Sequence, residues 1–271
     1  DGAAICVFLH WLDQQSEDSV DEIEAAARLE DFRRKQGEAD GLELRDISFD
    51  TISGSGPNGA IVHYRVDESS NRTLQEGELY LVDSGGQYEC GTTDSTAAIG
   101  QPPANAIRAF SLVPKGHIGI ATARFPNGTR GVDIDGLARI ALWQAGMDYG
   151  HGTGHGVGSY LSVHEGPQNI SKRGMEPFKP GMIVSNEPGY YRESAFGIRI
   201  ENLVLVHQAQ LIEGGDQPML GFETLTFAPI DLRLVDADML TGSEIAWLNT
   251  YHARVFDELA SRVSAEVREW L

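Results

Sequence analysis

Between Ala3 and Leu12, apolar residues fall at Ile5, Phe8, Leu9 and Leu12, the spacing of a helix with one buried face. Ser19 and Glu22 form a capping-box signature, and Ile23, Ala26, Ala27 and Leu29 extend it into a second amphipathic helix through about Lys35. From Phe49 the period changes. Ala60 to Tyr64 and Glu78 to Asp83 are β-type runs bounded by Gly, Asn and Pro, and they predict strands. Helical patterning returns over Ala104 to Leu112 and again through Val132, Leu137, Ala138, Ala141 and Leu142, with a glycine stop near Gly146. A glycine-dense stretch, Gly150 to Gly158, precedes two further strand-like runs, Met182 to Asn186 and Phe196 to Val206. The tail opens on Thr241 and Glu244, another capping box, and places Ile245, Leu248, Val255 and Leu259 on one helical face. Helices and strands interleave without regular βαβ spacing or a detectable short repeat. The pattern predicts an α+β class, one domain over residues 1–271 with two related halves.

Composition narrows the function classes. The chain has 271 residues, 41% hydrophobic and 8% aromatic, with 31 glycines, which suits a folded chain rather than a disordered one. Its net charge of −19 repels phosphate backbones and anionic lipid surfaces, so neither nucleic acid nor membrane is an expected partner. No apolar run approaches the ~18 residues that span a bilayer. Cys6 and Cys90 are too few for a disulfide framework, which points to a reducing, cytoplasmic setting. The start, Asp1-Gly2-Ala3-Ala4, has neither an initiator Met nor a basic leader, and reads as the C-terminal piece of a longer protein.

Several acidic and imidazole groups sit at probable strand ends among glycines. Asp83 closes an apolar strand before Ser84-Gly85, and reads equally as a turn former or a hard oxygen ligand. Asp94, in Gly91-Thr92-Thr93-Asp94, carries the same two readings, and the interval after Asp83 allows a strand, a turn and a returning strand. Glu201 alternates with Arg199 inside the apolar run Ile198 to Val206, so the two share a face and Glu201 needs a partner: a structural Arg–Glu pair or a metal. Glu187, between Ile183-Val184-Ser185 and Pro188-Gly189, has no solvated helix face to occupy. His151 and His155 lie among too many glycines for a helix. His164 stands alone in Val163-His164-Glu165. As a set, the four carboxylates beside one imidazole repel one another strongly unless two divalent cations balance them. Oxygen-rich ligation without thiolate suits manganese or cobalt and admits zinc. Such a pair shares a hydroxide and polarises a carbonyl, so the reaction class is hydrolysis.

The ordered segments Ile52 to Tyr64, Tyr80 to Tyr88, Gly91 to Asp94, His151 to Pro167, Glu187 to Tyr191 and Gly197 to Asn202, with Trp247 to His252 near the end, resemble the cytosolic aminopeptidase P branch of the pita-bread metallopeptidases. The resemblance covers nearly the whole chain. It implies a pseudo-two-fold α/β pita-bread fold holding two divalent ions, manganese foremost. It assigns Asp83, Asp94, His155, Glu187 and Glu201 as metal ligands, with Glu187 also assisting proton transfer. It implies that His63 and His164 act on the substrate or the tetrahedral intermediate, and that His151, Tyr191 and Arg199 line the pocket near a proline. The implied reaction removes the N-terminal residue from peptides with proline in second position, by a homodimer. An Xaa-Pro bond is a tertiary amide without N–H, so donors must address its carbonyl oxygen and a shaped pocket must take the ring.

The chain departs from the family pattern in three places. Ala97 stands where the family carries an Arg that supports the second metal Asp, Cys90 stands where Asp is common, and two N-terminal domains of the cytosolic members are absent. Two other readings share the fold: a prolidase-like Xaa-Pro dipeptidase, and a non-catalytic module that binds peptides or protein partners.

Overall fold

The computed structural model describes residues 1–16, 19–100 and 104–271. Helix α1 (Gly2–Asp13) and helix α2 (Glu22–Asp40) pack on each other, followed by β1 (Asp46–Ile47), β2 (Ile52–Ser55), β3 (Leu79–Ser84), β4 (Gly86–Tyr88), β5 (Gly91–Thr92) and β6 (Ser95–Gly100). The same order then recurs with additions. Helix α3 (Ala104–Ala121), β7 (Arg124–Pro126) and α4 (Gly131–Gln144) lead to β8 (Gly154–His155), β9 (Asn169–Ile170), β10 (Ile183–Asn186), β11 (Gly189–Arg192), β12 (Phe196–Arg199) and β13 (Asn202–Val206). Strands β14 (Gln210–Leu211) and β15 (Pro218–Thr224) extend the second sheet, and α5 (Gly242–Leu259) and α6 (Ala265–Trp270) close the chain.

The internal relation that no residue repeat revealed is plain in the topology. In the first half β3 pairs antiparallel with β6, and the small hairpin β4–β5 interrupts their connection. In the second half β10 pairs antiparallel with β13, and the hairpin β11–β12 interrupts it in the same place. On the outer flank β2 joins β3 through Gly54 opposite Leu81, and the β8 segment joins β10 through Gly156 opposite Val184. Each half therefore delivers one residue from the end of an outgoing strand and one from the start of a returning strand to the middle of the molecule. Those residues are Asp83 and Asp94 in one half, Glu187 and Glu201 in the other.

Local chemistry explains most element boundaries. Helix α2 begins two residues later than the Ser19–Glu22 signature predicts. Asp21 is the true N-cap, its carboxylate accepting from the Glu24 N–H at 2.8 Å, and Gly41 ends the helix at φ 68°. The tail capping box forms as expected, with Thr241 and Glu244 each satisfying the other's backbone N–H. The strand expected over Ala60 to Tyr64 is not one: β2 lies earlier, and the chain leaves it through a 3-10 turn, Gly56–Ala60, into a tethered loop. The single strand expected from Phe196 to Val206 is broken at Ile200–Glu201, where β12 and β13 join different sheets.

A first apolar cluster packs α1 and α2 on β3 through Phe8, Leu29, Tyr80 and Val82, and two more centre on the elements that follow. One joins Ala106, Phe110 and Val113 of α3 to Ile198 and to Leu248, Tyr251 and Val255 of α5; the other stacks Phe125, Phe178 and Phe222 with ring centroids 5.1–5.7 Å apart beneath β10 and β13. Each such ring removed from water contributes roughly 1.5–3 kcal/mol.

The glycine-dense stretch is explained by close backbone approach. A Cβ at Gly154 would lie 1.9 Å from the Ser185 carbonyl oxygen, whereas one at Gly150 would meet nothing within 4 Å. Gly154→Ala should therefore lower the urea-unfolding free energy by about 1–3 kcal/mol, while Gly150→Ala should stay within about 0.5 kcal/mol of the parent. Equal losses at the two positions would contradict the close-packing account.

Candidate metal centre

A cavity of about 710 Å³ opens where the two halves meet, and Asp83, Asp94, His155, His164, Glu187 and Glu201 all line it. The pseudo-equivalent hairpins bring Asp83, Asp94 and Glu201 together, with carboxylate oxygens within 4.8 Å of one another, and His155, Glu187 and Glu201 form a second such group. His155 Nε2 stands 3.4 Å from Asp94 Oδ2 and 3.5 Å from Glu187 Oε1. Separations of this size suit donors arranged around one small cation, whose bonds to nitrogen and oxygen run about 2.0–2.2 Å.

Two observations test whether these residues fit a metal. First, Asp83 Oδ1, Asp94 Oδ1 and Glu201 Oε1 are buried and have no hydrogen-bond partner, although buried carboxylate oxygens without a donor are costly. Second, His155 Nδ1 lies 3.0 Å from the Gly156 carbonyl, which can only accept, so Nδ1 carries the proton and Nε2 presents its lone pair to the cavity. The donor set is oxygen-rich with one imidazole, and it fits a pair of divalent cations.

Asp83, Glu187 and Glu201 are held from behind. Thr96 Oγ1 donates to Glu201 Oε2 at 2.8 Å and in turn accepts from Arg199 Nε at 3.3 Å. Ser185 Oγ donates to Glu187 Oε1 at 3.0 Å and accepts from the His155 N–H at 2.8 Å. Arg199, only 2% exposed, reaches Asp83 Oδ2 through Nη2 and the Tyr191 hydroxyl through Nη1. Thus Arg199 and Glu201 do meet, but through Thr96 across the interrupted strand rather than as neighbours on a continuous one.

The remaining predicted residues fall into two groups. His63 and His164 line the cavity, and the His164 ring centroid is 3.9 Å from that of His155. His151 also lines it, with Nδ1 donating to the Gly152 carbonyl at 2.7 Å and Nε2 facing the Tyr191 hydroxyl at 2.9 Å. Tyr191 is not itself on the lining; it stands behind His151 and Arg199 and links them.

Sequence reasoning passed over Thr96, Ser185 and Arg33. Thr96 and Ser185 look like ordinary strand residues. Arg33 left a signal, because Ala25, Leu29, Arg33 and Gly37 recur every four residues on the buried stripe of α2. Its guanidinium, 1% exposed, pairs with the Asp1 carboxylate at 2.7 Å and donates to the Ser84 carbonyl at 3.2 Å and to Ser84 Oγ at 3.0 Å, directly behind Asp83. Ala97 is buried in the core of α1, α2 and β3, so cationic support in this half comes from α2 rather than from the position where the family carries Arg. Cys90 is exposed, Cys6 is buried, and both are free thiols.

Burial raises Asp94 well above the ordinary carboxylate range, and the Asp83 and Glu187 charges push it further. Glu201 is raised the same way, by burial and then by Asp94, and Glu187 by burial against the pull of His155 and Arg199. Burial, then the Arg199 charge, lowers His151 to about 4, so its ring is neutral at pH 7.

Both the sequence and the fold match known proteins. The model of metallopeptidase family M24 matches residues 1–208, and that of the C-terminal region of peptidase M24 matches residues 218–271. The chain belongs to metallopeptidase family M24, and its fold is the pita-bread fold of that family. It is 48% identical over 282 residues to a probable Xaa-Pro aminopeptidase P of Laccaria bicolor, covering 100% of this chain and 43% of that protein. It superposes on the X-prolyl aminopeptidase of Caenorhabditis elegans, described as a cytosolic enzyme with a di-nuclear active site, with TM-score 0.91 and 39% identity over 99% of this chain and 44% of that one. It also superposes on an Xaa-Pro dipeptidase from Bacillus anthracis, with TM-score 0.68 and 29% identity over 84% of this chain and 59% of that one. The chain thus spans less than half the length of the Laccaria bicolor relative.

A group whose folded pKa lies above its unfolded value stabilises the fold at low pH and loses that contribution as pH rises through the folded value. With Asp94, Glu187 and Glu201 all raised, the chelator-treated protein should melt at progressively lower temperature as pH rises from about 4 upward. Added manganese should reverse the loss and release protons, read by calorimetry in buffers of different ionisation enthalpy. A metal-free melting temperature that climbs over the same range would contradict the assigned shifts.

Proposed function

We propose that this chain is the catalytic domain of an Xaa-Pro aminopeptidase, a single pita-bread domain over residues 1–271, hydrolysing the bond between a peptide's first residue and a proline in second position. The observation that carries the reading is the group of buried carboxylate oxygens of Asp83, Asp94 and Glu201, without donors and facing the His155 lone pair. Asp83, Asp94, His155, Glu187 and Glu201 are the metal ligands in this reading. Two divalent cations bound there supply a Lewis acid for the scissile carbonyl and acidify water. Manganese suits the oxygen-rich set best, and zinc and cobalt fit the same donors.

The chain's own residues do the rest. Glu187 has its pKa raised by burial, which suits a group that takes a proton from water and returns it to the departing proline nitrogen. Burial lowers His164, so its ring stays neutral and keeps an N–H for the carbonyl oxygen. His63 faces the same space and contacts the substrate. The chain Arg199, Tyr191, His151 forms a stiff wall, each member fixed by the next, against which a five-membered ring can lie. A proline amide has no N–H, so this wall needs shape and not an acceptor.

The reading extends to setting and assembly. Among the described residues no helix is long and apolar enough to cross a membrane. The C. elegans relative is described as cytosolic, which supports a cytoplasmic enzyme. Leu137, Ile140 and Trp143 are exposed along α4 and support a homodimer.

Manganese-loaded protein should cleave Xaa-Pro-Yaa tripeptides and Xaa-Pro dipeptides alike, followed by release of the free N-terminal residue. Asp94→Ala should reduce turnover at least about a thousandfold, whereas Cys90→Ser should leave it unchanged. Cleavage of dipeptides alone would move the assignment to the dipeptidase reading, and no cleavage with intact metal binding would favour a peptide-binding module.

A further inference from the structure

Glu22, the first residue of α2, is completely buried, and its carboxylate collects donors from residues far along the chain. Oε1 accepts from the Ser55 N–H at 2.6 Å and from Asn58 Nδ2 at 3.0 Å. Oε2 accepts from the Tyr64 hydroxyl at 2.9 Å and from the Arg72 N–H at 3.1 Å. Its backbone joins in: the Glu22 N–H donates to the Arg72 carbonyl at 3.0 Å, and the Glu22 carbonyl accepts from Ser53 Oγ at 2.7 Å. The helix does not need this side chain as a cap, because Asp21 fills that role.

The donors have a pattern. Ser55 and Arg72 are the two feet of the segment that leaves β2 and returns towards β3, and Asn58 and Tyr64 lie inside it. His63 sits in the middle of that segment, with its backbone pinned on both sides. The Tyr64 hydroxyl is held by Glu22, and the Val62 carbonyl accepts from Arg199 Nη1 at 3.3 Å. Tyr64 is buried while His63 is exposed to the cavity, so the two side chains point opposite ways from adjacent residues. One buried carboxylate thus gathers a loop that has no sheet partner of its own and turns a single imidazole towards the site.

We propose that Glu22 is a positioning residue for His63, holding the loop of residues 56–72 closed so that the imidazole meets the substrate. The proposal rests on the reading of His63 as a substrate contact. Removing the negative charge leaves buried donors that must compete for fewer acceptor positions, and the loop relaxes without disturbing the carboxylates at the cavity centre.

The test is a double-mutant cycle on Xaa-Pro-Yaa cleavage. Glu22→Gln should lower kcat/KM about tenfold, and in a His63→Ala background the same change should cost less than about twofold, because the coupling runs through the imidazole. Manganese content should match the parent in every variant. An equal loss in both backgrounds, or parental kcat/KM in folded Glu22→Gln, would overturn the proposal. If Glu22→Gln does not fold, Tyr64→Phe removes one donor from the same carboxylate and should give a smaller loss that likewise vanishes without His63. Amide hydrogen exchange separates this proposal from the assigned reaction. Should the parent cleave no peptide, Glu22→Gln must still speed exchange at residues 61–64 while leaving β3 protected, and unchanged exchange at residues 61–64 would sink it.

Discussion

Carboxylates drawn into a partly buried cavity and left within reach of one another cannot all keep their charge unless cations stand beside them. This constraint organises the molecule. Asp83, Asp94, Glu187 and Glu201 come from strand ends in both halves, and the chain supplies Arg199 against Asp83, whereas Arg33 behind Ser84 is already paired with Asp1. One available guanidinium for four carboxylates leaves the centre three positive charges short, and the oxygens without donors mark where the shortfall lies. A site that balanced its own charges would be a structural network. One that falls short by three, more than a single divalent cation supplies, is built to receive ions in a pair.

The doubled topology explains how such a site is assembled from ordinary parts. A strand, a small hairpin and a returning strand place one acid on each side of the hairpin's base, and repeating the unit brings two pairs to a common centre. The supporting arginine is doubled as well. Arg33 on α2 and Arg139 on α4 are both buried on the second helix of their half, and both donate to backbone carbonyls beneath the site, those of Ser84 in one case and of Tyr149 and His151 in the other. The Asp83 strand end in one half and the His151 segment in the other are thereby tied to a helix layer.

Much of this was legible in the residues. The helical period of α1, the apolar runs of β3 and β10 and the Thr241–Glu244 box are local signals, and local signals survive folding. The five acidic and imidazole positions were also visible, because carboxylates at the ends of apolar strands conflict with their surroundings and so stand out. What was not legible depends on contacts distant in sequence. Ala60 to Tyr64 has strand composition, but Glu22 claims the Tyr64 hydroxyl and the Asn58 amide just before the segment and makes it a loop. Phe196 to Val206 has one apolar pattern, but it serves two sheets. The two-fold relation resides in the order of elements and not in residue identity, so comparing residues could not find it.

The central claim is that the cavity is an ion site for two. Dialysing the protein against manganese, removing the free metal and counting bound ions by elemental analysis tests it most directly. The charge shortfall predicts two equivalents per chain; one or none, in folded protein, would mean that the acids are balanced by protons alone.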